Sequence, residues 1–270
     1  MIPEVRTKVK ELHNKTALVT GAGRGIGRAI SLVLAQEGAT LILTGRDLDA
    51  LNETSRLISE LGTAPASLVY QMDLLDSTGI TTCVQTCLEV FGHIDILVNN
   101  SGIAGKSAPM WELTEDEWDE GMDTNLKGAF LVSKAVIPAM IERKSGSIIF
   151  IGSITGKRPL VNRSVYAASK LGMVGMMRTL ALELGRHGVR VNQISPGFVE
   201  GPRLDGVIAQ VAKNKNVSLQ DMNEQWLEMI PTGRFISPEE IAQGVLFFAS
   251  DRSSGTTGED LNISGGLVMY

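Results

Sequence analysis

Seven short apolar runs, separated by helix-forming stretches, constrain this chain more than any other feature. They read "TALVT", "TLILT", "ASLVYQM", "IDILVNN", "SIIFIGS", "RVNQIS" and, near the end, "DLNISGG". Each is short, rich in Val, Ile and Leu, and continuous rather than alternating with polar residues. Such runs suit strands covered on both faces, as in a parallel sheet whose crossovers are helices. The rhythm predicts an α/β fold, a Rossmann-type doubly wound parallel sheet. Ligands of such sheets bind beyond the C-terminal ends of the strands, so the residues after each run are where chemistry is sought. The segment 198–231, with "KNKNVSLQDMNEQW", breaks the rhythm and reads as a helical insertion able to serve as a lid. With 270 residues, 43% hydrophobic and 20% charged, residues 1–270 are expected to form one domain.

A net charge of -5 leaves no basic footprint for nucleic acid, whose phosphates need clustered Lys and Arg. The opening "MIPEVRTKVKELHNK" is polar and no later apolar stretch reaches the length of a membrane span, so no membrane and a cytoplasmic location are expected. Cys83 and Cys87 fall in a helix expected to begin after "DLLDSTG" and to end near Phe91, and read as small buried thiols. His13, His93 and His187 are scattered, and no metal-ligand set is expected.

The first run leads directly into "TGAGRGIG", residues 20–27. Glycines there let the backbone turn sharply and approach a pyrophosphate, while a helix starting near Ile26 offers free N–H groups and its positive dipole end. The spacing is TGxxxGxG rather than GxGxxG. Further on, "SVYAASKLG" holds Tyr166 and Lys170 four apart, hence on one face of a helix and able to act on one ligand.

These marks, with Asp73, "NNSG" at 99–102, Asn125 in "TNLKG", Ser153 thirteen residues before Tyr166, and "PG" at Pro196 and Gly197, resemble the short-chain dehydrogenase/reductase superfamily, most closely its 3-oxoacyl-carrier-protein reductase type. The resemblance covers nearly the whole chain. It implies hydride exchange between a nicotinamide and a carbonyl or secondary alcohol, with Asn125, Ser153, Tyr166 and Lys170 as the catalytic set. It implies that the cofactor lies along Gly21, Arg24, Gly25, Ile26 and Gly27, then Arg46, Asp73, Leu74 and Asn100, then Tyr166, Lys170, Pro196, Gly197 and Val199. A free phenol has a pKa near ~10, so Tyr166 needs positive charge nearby to act as a base, and Lys170 supplies it. Ser153 would donate a hydrogen bond to the developing alkoxide and Asn125 would help position a water linking Lys170 to solvent. Two other classes share the fold: a cofactor-binding regulator and a non-redox member.

Arg46 stands where many NAD-using relatives carry an acid, and an arginine fork suits a 2′-phosphate. NADP(H) is therefore favoured, with Arg24 as a second phosphate partner and NAD(H) as the alternative cofactor. The chain departs from the family pattern at Ser101, at Gly201 in place of a frequent threonine, and at Ser264, read as a variation near a subunit interface. The resemblance implies a homotetramer formed through the 118–143 helix and the helix carrying "YAASK", with "ISGGLVMY" at another contact. Met173, Met176 and Met177 are candidates for the buried faces. The partner is a small carbonyl or alcohol substrate. The substrate is open between a small hydroxy or keto compound and a fatty-acid intermediate; Lys157, Arg158 and Arg163 precede Tyr166 and Arg203 follows the Pro196-Gly197 turn, so an anionic keto compound bound by Arg158 or Arg203 is one hypothesis.

Overall fold

The computed structural model describes residues 10–62, 65 and 67–270. Its strands are β1 (Thr16–Thr20), β2 (Thr40–Gly45), β3 (Leu68–Gln71), β4 (Ile96–Asn99), β5 (Gly146–Ile151), β6 (Val189–Pro196) and β7 (Asp260–Ile263). All pair in parallel, in the order β3-β2-β1-β4-β5-β6-β7. The chain lays β1 to β3 outward to one edge, then returns to place β4 on the other side of β1. The loops leaving β1 and β4 therefore diverge and open a crevice at the C-terminal ends of the strands.

The crossovers are α1 (Gly25–Gln36), α2 (Leu48–Glu60), α3 (Ser77–Phe91), α4 (Glu115–Met122), α5 (Gly128–Arg143), α6 (Ser164–Leu184), α7 (Pro202–Lys215), α8 (Leu219–Glu228) and α9 (Pro238–Ala249). Alternate strand residues enter two cores. Ala17, Val19, Leu43 and Val98 pack under α1 and α9 with Ile30, Leu34, Val245 and Phe248. Leu18, Ile42, Leu97 and Phe150 pack under α3, α5 and α6 with Val84, Val136, Met173 and Met177. Both faces of the sheet are covered, which is why the runs do not alternate, and each large apolar side chain contributes about 2 kcal/mol by leaving water.

The element boundaries differ from expectation where caps decide them. The helix read at 118–143 begins at Glu115, because Thr114 and Glu117 form a reciprocal capping box, and it is interrupted by a π turn over Asp123–Lys127. Helix α3 starts inside "DLLDSTG", at Ser77, where the Asp76 carboxylate accepts the N–H groups of Thr78 and Gly79. Cys83 and Cys87 are buried and free on that helix. Met173 and Met177 lie wholly inside their own core and Met176 packs against it, so Met173 and Met177 belong to this chain's interior rather than to an interface. Ser264 is also buried, and its hydroxyl meets both the carbonyl and the N–H of Val268. It closes the C-terminal turn within the chain.

The interruption at 198–231 is helical, as expected, and consists of α7 and α8 with a small core of their own. Phe198, Leu204, Ile208, Met222, Trp226 and Ile230 form it, with the Phe198 and Trp226 rings 4.4 Å apart. Its base is tied to the sheet side by Ile236, whose N–H donates to Phe198 and whose carbonyl accepts from Glu200, both at 2.9 Å. Among the described residues no helix is long and apolar enough to cross a membrane.

Candidate active site

One cavity of about 670 Å³ follows the C-terminal ends of the strands from Arg46 to Trp226. Its β1 end is the glycine turn, whose carbonyls are occupied from behind. Asn100 Nδ2 donates to the carbonyls of Thr20 (2.8 Å) and Gly21 (3.2 Å). Thr54 donates to Ala22 at 3.1 Å and Arg28 to Gly23 at 2.6 Å. With its carbonyls held inward, the turn leads into α1, whose first turn has no side-chain cap. Gly27 has no room for a side chain, since a Cβ there would lie 2.1 Å from the Gly21 carbonyl oxygen. The helix thus presses against the turn and presents uncapped N–H groups to the cavity, an arrangement that fits a diphosphate. Asn100 braces this cradle, and Arg28 and Thr54, which belong to no sequence motif, share the task.

Farther along this end lie Arg46 and Asp47. The Arg46 carbonyl accepts from Gln71, but no hydrogen bond or ion pair engages its exposed guanidinium among the described residues. Arg24 is instead paired with Asp47. Asp47 caps α2 by accepting the Ala50 N–H, and this bond, with Arg24 beside it, holds its carboxyl below the usual carboxylate range. Arg46 is therefore free to meet a phosphate, whereas Arg24 already has an acid partner. Asp73 and Leu74 line the same wall.

The middle of the cavity brings together Ser153, Tyr166 and Lys170. Ser153 follows β5, and its oxygen accepts the Thr155 N–H at 3.1 Å. That geometry leaves the hydroxyl hydrogen for another acceptor. Tyr166 and Lys170 sit one turn apart on α6. Lys170 is only 4% exposed, donates to the Ile151 carbonyl at 2.8 Å, and has its ammonium 5.8 Å from the centre of the Tyr166 ring. Burial, reinforced by the charge of Arg203, pushes its pKa down to about 7.

Asn125 lies in the π turn and is 1% exposed. Its amide exchanges hydrogen bonds with the backbone of Ile103, accepting at 2.8 Å and donating at 3.1 Å, and donates to Ser169 Oγ at 3.0 Å. Ser169 in turn donates to the Tyr166 carbonyl at 2.9 Å. Asn125 therefore pins the loop after β4 to the helix that carries Tyr166, a link in which Ser169 was not anticipated. Single π turns inside α-helices are frequent at functional sites.

At the far end are Pro196, Gly197 and Val199, with Phe198 and Trp226. Gly201 caps α7 with a φ of 129°, a conformation that side chains rarely adopt. The missing threonine is thus built into the backbone path. Of the cations expected to face substrate, Arg203 lines the cavity and lies over the Tyr166 ring at 5.8 Å. Arg158 does not: it is exposed and outside the lining, because the 3-10 turn Ile154–Gly156 carries it outward. Lys157 turns toward β7, where it pairs with Asp260 at 2.9 Å. Arg163 takes the place expected of Arg158. It lines the cavity and donates to the Ala104 carbonyl at 3.2 Å.

A doubly wound sheet with an anion-accepting turn at one end of its crevice and a phenol–ammonium pair in the middle defines a dinucleotide-dependent oxidoreductase. A family model described as enoyl-(acyl carrier protein) reductase matches residues 21–268. The chain is 39% identical to the 3-oxoacyl-[acyl-carrier-protein] reductase FabG of Thermotoga maritima, over 96% of its own length and 99% of that protein. Similar solved structures include an actinorhodin polyketide ketoreductase variant with NADPH, at 35% identity, TM-score 0.90, and 95% and 98% coverage of the two chains. An NAD+-bound xylitol dehydrogenase is similar at 32% identity, TM-score 0.90, and 95% and 100% coverage. The chain belongs to the short-chain dehydrogenase/reductase superfamily, and it is an oxidoreductase of carbonyl and CH–OH groups.

Proposed function

We propose that this protein is a carbonyl reductase of NADP(H) preference, working reversibly on a secondary alcohol, with Tyr166 as its acid and base. The observation that carries the reading is the buried Lys170 ammonium beside the Tyr166 ring, in a cavity continuous with the glycine turn. The uncapped turn of α1 and the unpaired Arg46 would hold the cofactor's diphosphate and 2′-phosphate, and Asp73, Leu74, Pro196, Gly197 and Val199 would flank it. The NADPH-bound ketoreductase and the FabG relative support NADP(H); the NAD+-bound dehydrogenase keeps NAD(H) as the second cofactor. When bound, the cofactor supplies the hydride. Ser153 donates its free hydroxyl hydrogen to the substrate oxygen and fixes the carbonyl next to Tyr166. Tyr166 gives its proton to that oxygen as negative charge develops, and Lys170 stabilises the phenolate left behind. Asn125 keeps the Tyr166 helix registered against the loop after β4.

The same reading takes the chain as one domain, with α7 and α8 as a lid over the substrate, in the cytoplasm, where free thiols such as Cys83 and Cys87 persist. A homotetramer is supported by apolar side chains left exposed on α5 and α6, among them Phe130, Leu171 and Leu182. NADPH oxidation followed with a panel of ketones tests the function. Tyr166→Phe should lower kcat more than about a hundredfold while NADPH still binds by fluorescence titration; retention of a tenth of the rate overturns the assignment.

A further inference from the structure

We infer that Arg163 and Arg203 form an anion-recognition pair beside Tyr166, so that the carbonyl substrate carries a carboxylate or phosphate a few bonds from the reacting carbon. The inference rests on the carbonyl-reductase reading and names the substrate class it leaves open. Two guanidinium groups reach the same end of the cavity from different elements, Arg163 from the residue before α6 and Arg203 from the first turn of α7. The Arg203 guanidinium lies over the Tyr166 ring at 5.8 Å, and Arg163 precedes Tyr166 by three residues. Arg203 therefore lies beside the group that would touch the substrate oxygen, and Arg163 lines the cavity near enough for Tyr166 and Arg203 to act on its charge.

Neither arginine has a carboxylate partner among the described residues. Arg163 has one hydrogen bond, to the Ala104 carbonyl, which leaves most of its five donors unused. Of the acids that line the cavity, Asp47 and Asp73 stand at the Arg46 end, and Glu200 acts on Arg234. Lys170 adds a third cation with no acid paired to it among the described residues. Burial pulls the Arg163 guanidinium below the ordinary arginine value; Tyr166 opposes this and the charge of Arg203 adds to it. The two groups oppose each other as built, in a chain whose overall charge is -5. An isolated like-charge pair is unfavourable, and an oxyanion between them would turn that repulsion into attraction.

The location separates this pair from the cofactor's own anions. A diphosphate has the uncapped turn of α1, and a 2′-phosphate has Arg46 at the opposite end of the cavity. Arg203 also belongs to α7, so an anion that engages both arginines would draw α7 toward α6 and close the site over the substrate.

The test compares a short β-keto acid with its methyl ester, in wild type, Arg203→Gln, Arg163→Gln and Arg163→Lys, with NADPH affinity measured separately by fluorescence titration. Calorimetric titration of the NADP+-loaded protein with inorganic phosphate gives a readout that needs no turnover. Wild type should prefer the acid, and either Gln variant should cut the acid-to-ester ratio of kcat/KM at least tenfold, mainly through KM; Arg163→Lys should restore part of it. Phosphate should bind wild type more tightly than either Gln variant. An unchanged ratio together with equal phosphate affinity overturns the inference, as does a loss of NADPH affinity that accounts for the whole effect. If wild type reduces neither compound nor any ketone of the panel but phosphate binding depends on both arginines, the anion site stands and the reductase reading falls.

Discussion

Replacing Lys170 by Met should make the protein more stable at pH 6 and inactive, a result that follows from where the ammonium sits. Lys170 is buried, and its pKa is pushed from 10.5 down to about 7. At ~1.36 kcal/mol per unit, that displacement amounts to about 5 kcal/mol for keeping the charge inside below pH 7. Between pH 7 and 10.5 the unfolded chain holds a proton that the folded chain has released, so wild-type stability rises with pH across this window. Methionine has similar length and carries no charge, but it loses the bond to the Ile151 carbonyl and leaves that acceptor unmet, which costs about 1–3 kcal/mol. The variant should therefore be more stable by about 3 kcal/mol at pH 6, or roughly 5–10 °C in Tm, and slightly less stable than wild type near pH 10.5. Thermal unfolding of both proteins in the absence of cofactor, over pH 6 to 10.5, checks this. Parallel profiles, or a variant less stable at pH 6, would refute the claim that burial strains the ammonium.

Arg46→Asp should raise KM for NADPH at least tenfold and leave NADH use nearly intact, since it removes a free guanidinium and places a negative charge at the 2′ position; equal losses for both cofactors would remove Arg46 from that role. Gly201→Thr should lower Tm by a few degrees, because a β-branched side chain is forced to a φ of 129° with no steric contact to relieve. An unchanged Tm would show that the α7 entry relaxes freely. Light scattering at micromolar concentration should give a tetramer, and a monomer throughout would refute the assembly read from Phe130, Leu171 and Leu182.

The sheet was legible because its strands are buried on both faces, which leaves an uninterrupted apolar signal for each of them. The glycine turn and the Tyr166–Lys170 pair were legible for a different reason, since their spacing is dictated by a phosphate cradle and a helical turn. What stayed hidden were features decided by three-dimensional partners. The π turn at Asn125 leaves no periodicity signal, whereas the earlier helix start has one, the capping-box pattern "TEDE" at 114–117, which the expected start at 118 overlooks. Arg158 and Arg163 are five residues apart on one loop, and nothing in that stretch says which one turns inward. The 3-10 turn after Ser153 settles it by carrying Lys157 toward Asp260 and Arg158 to solvent. Arg28 and Thr54 escaped notice because they act on backbone carbonyls of the turn rather than on any ligand.

The placement of charge in the cavity has a consequence for how one chain serves two anionic ends. At the Arg46 end the cations are exposed, and one of them, Arg24, already has an acid partner, so solvent and Asp47 soften the field there. At the Tyr166 end the cation held most deeply, Lys170, is buried, and Arg163 is partly so, with no ion pair to either among the described residues. Charges in that setting are screened far less, and they favour any step that makes an oxygen more negative. The two such steps in the proposed chemistry are formation of the Tyr166 phenolate and growth of negative charge on the substrate oxygen. An anionic group on the substrate meets Arg163 in that setting and Arg203 at its exposed rim. Its presence would partly neutralise Arg163 and Arg203, relieve the repulsion that Arg203 exerts on Lys170, and raise the fraction of that lysine carrying its proton. Substrate recognition and the acid–base balance of the catalytic pair are thus coupled through charge alone. The wild-type pH profile of kcat for an acid substrate should then extend to higher pH than that for its neutral ester, and identical profiles would break the coupling.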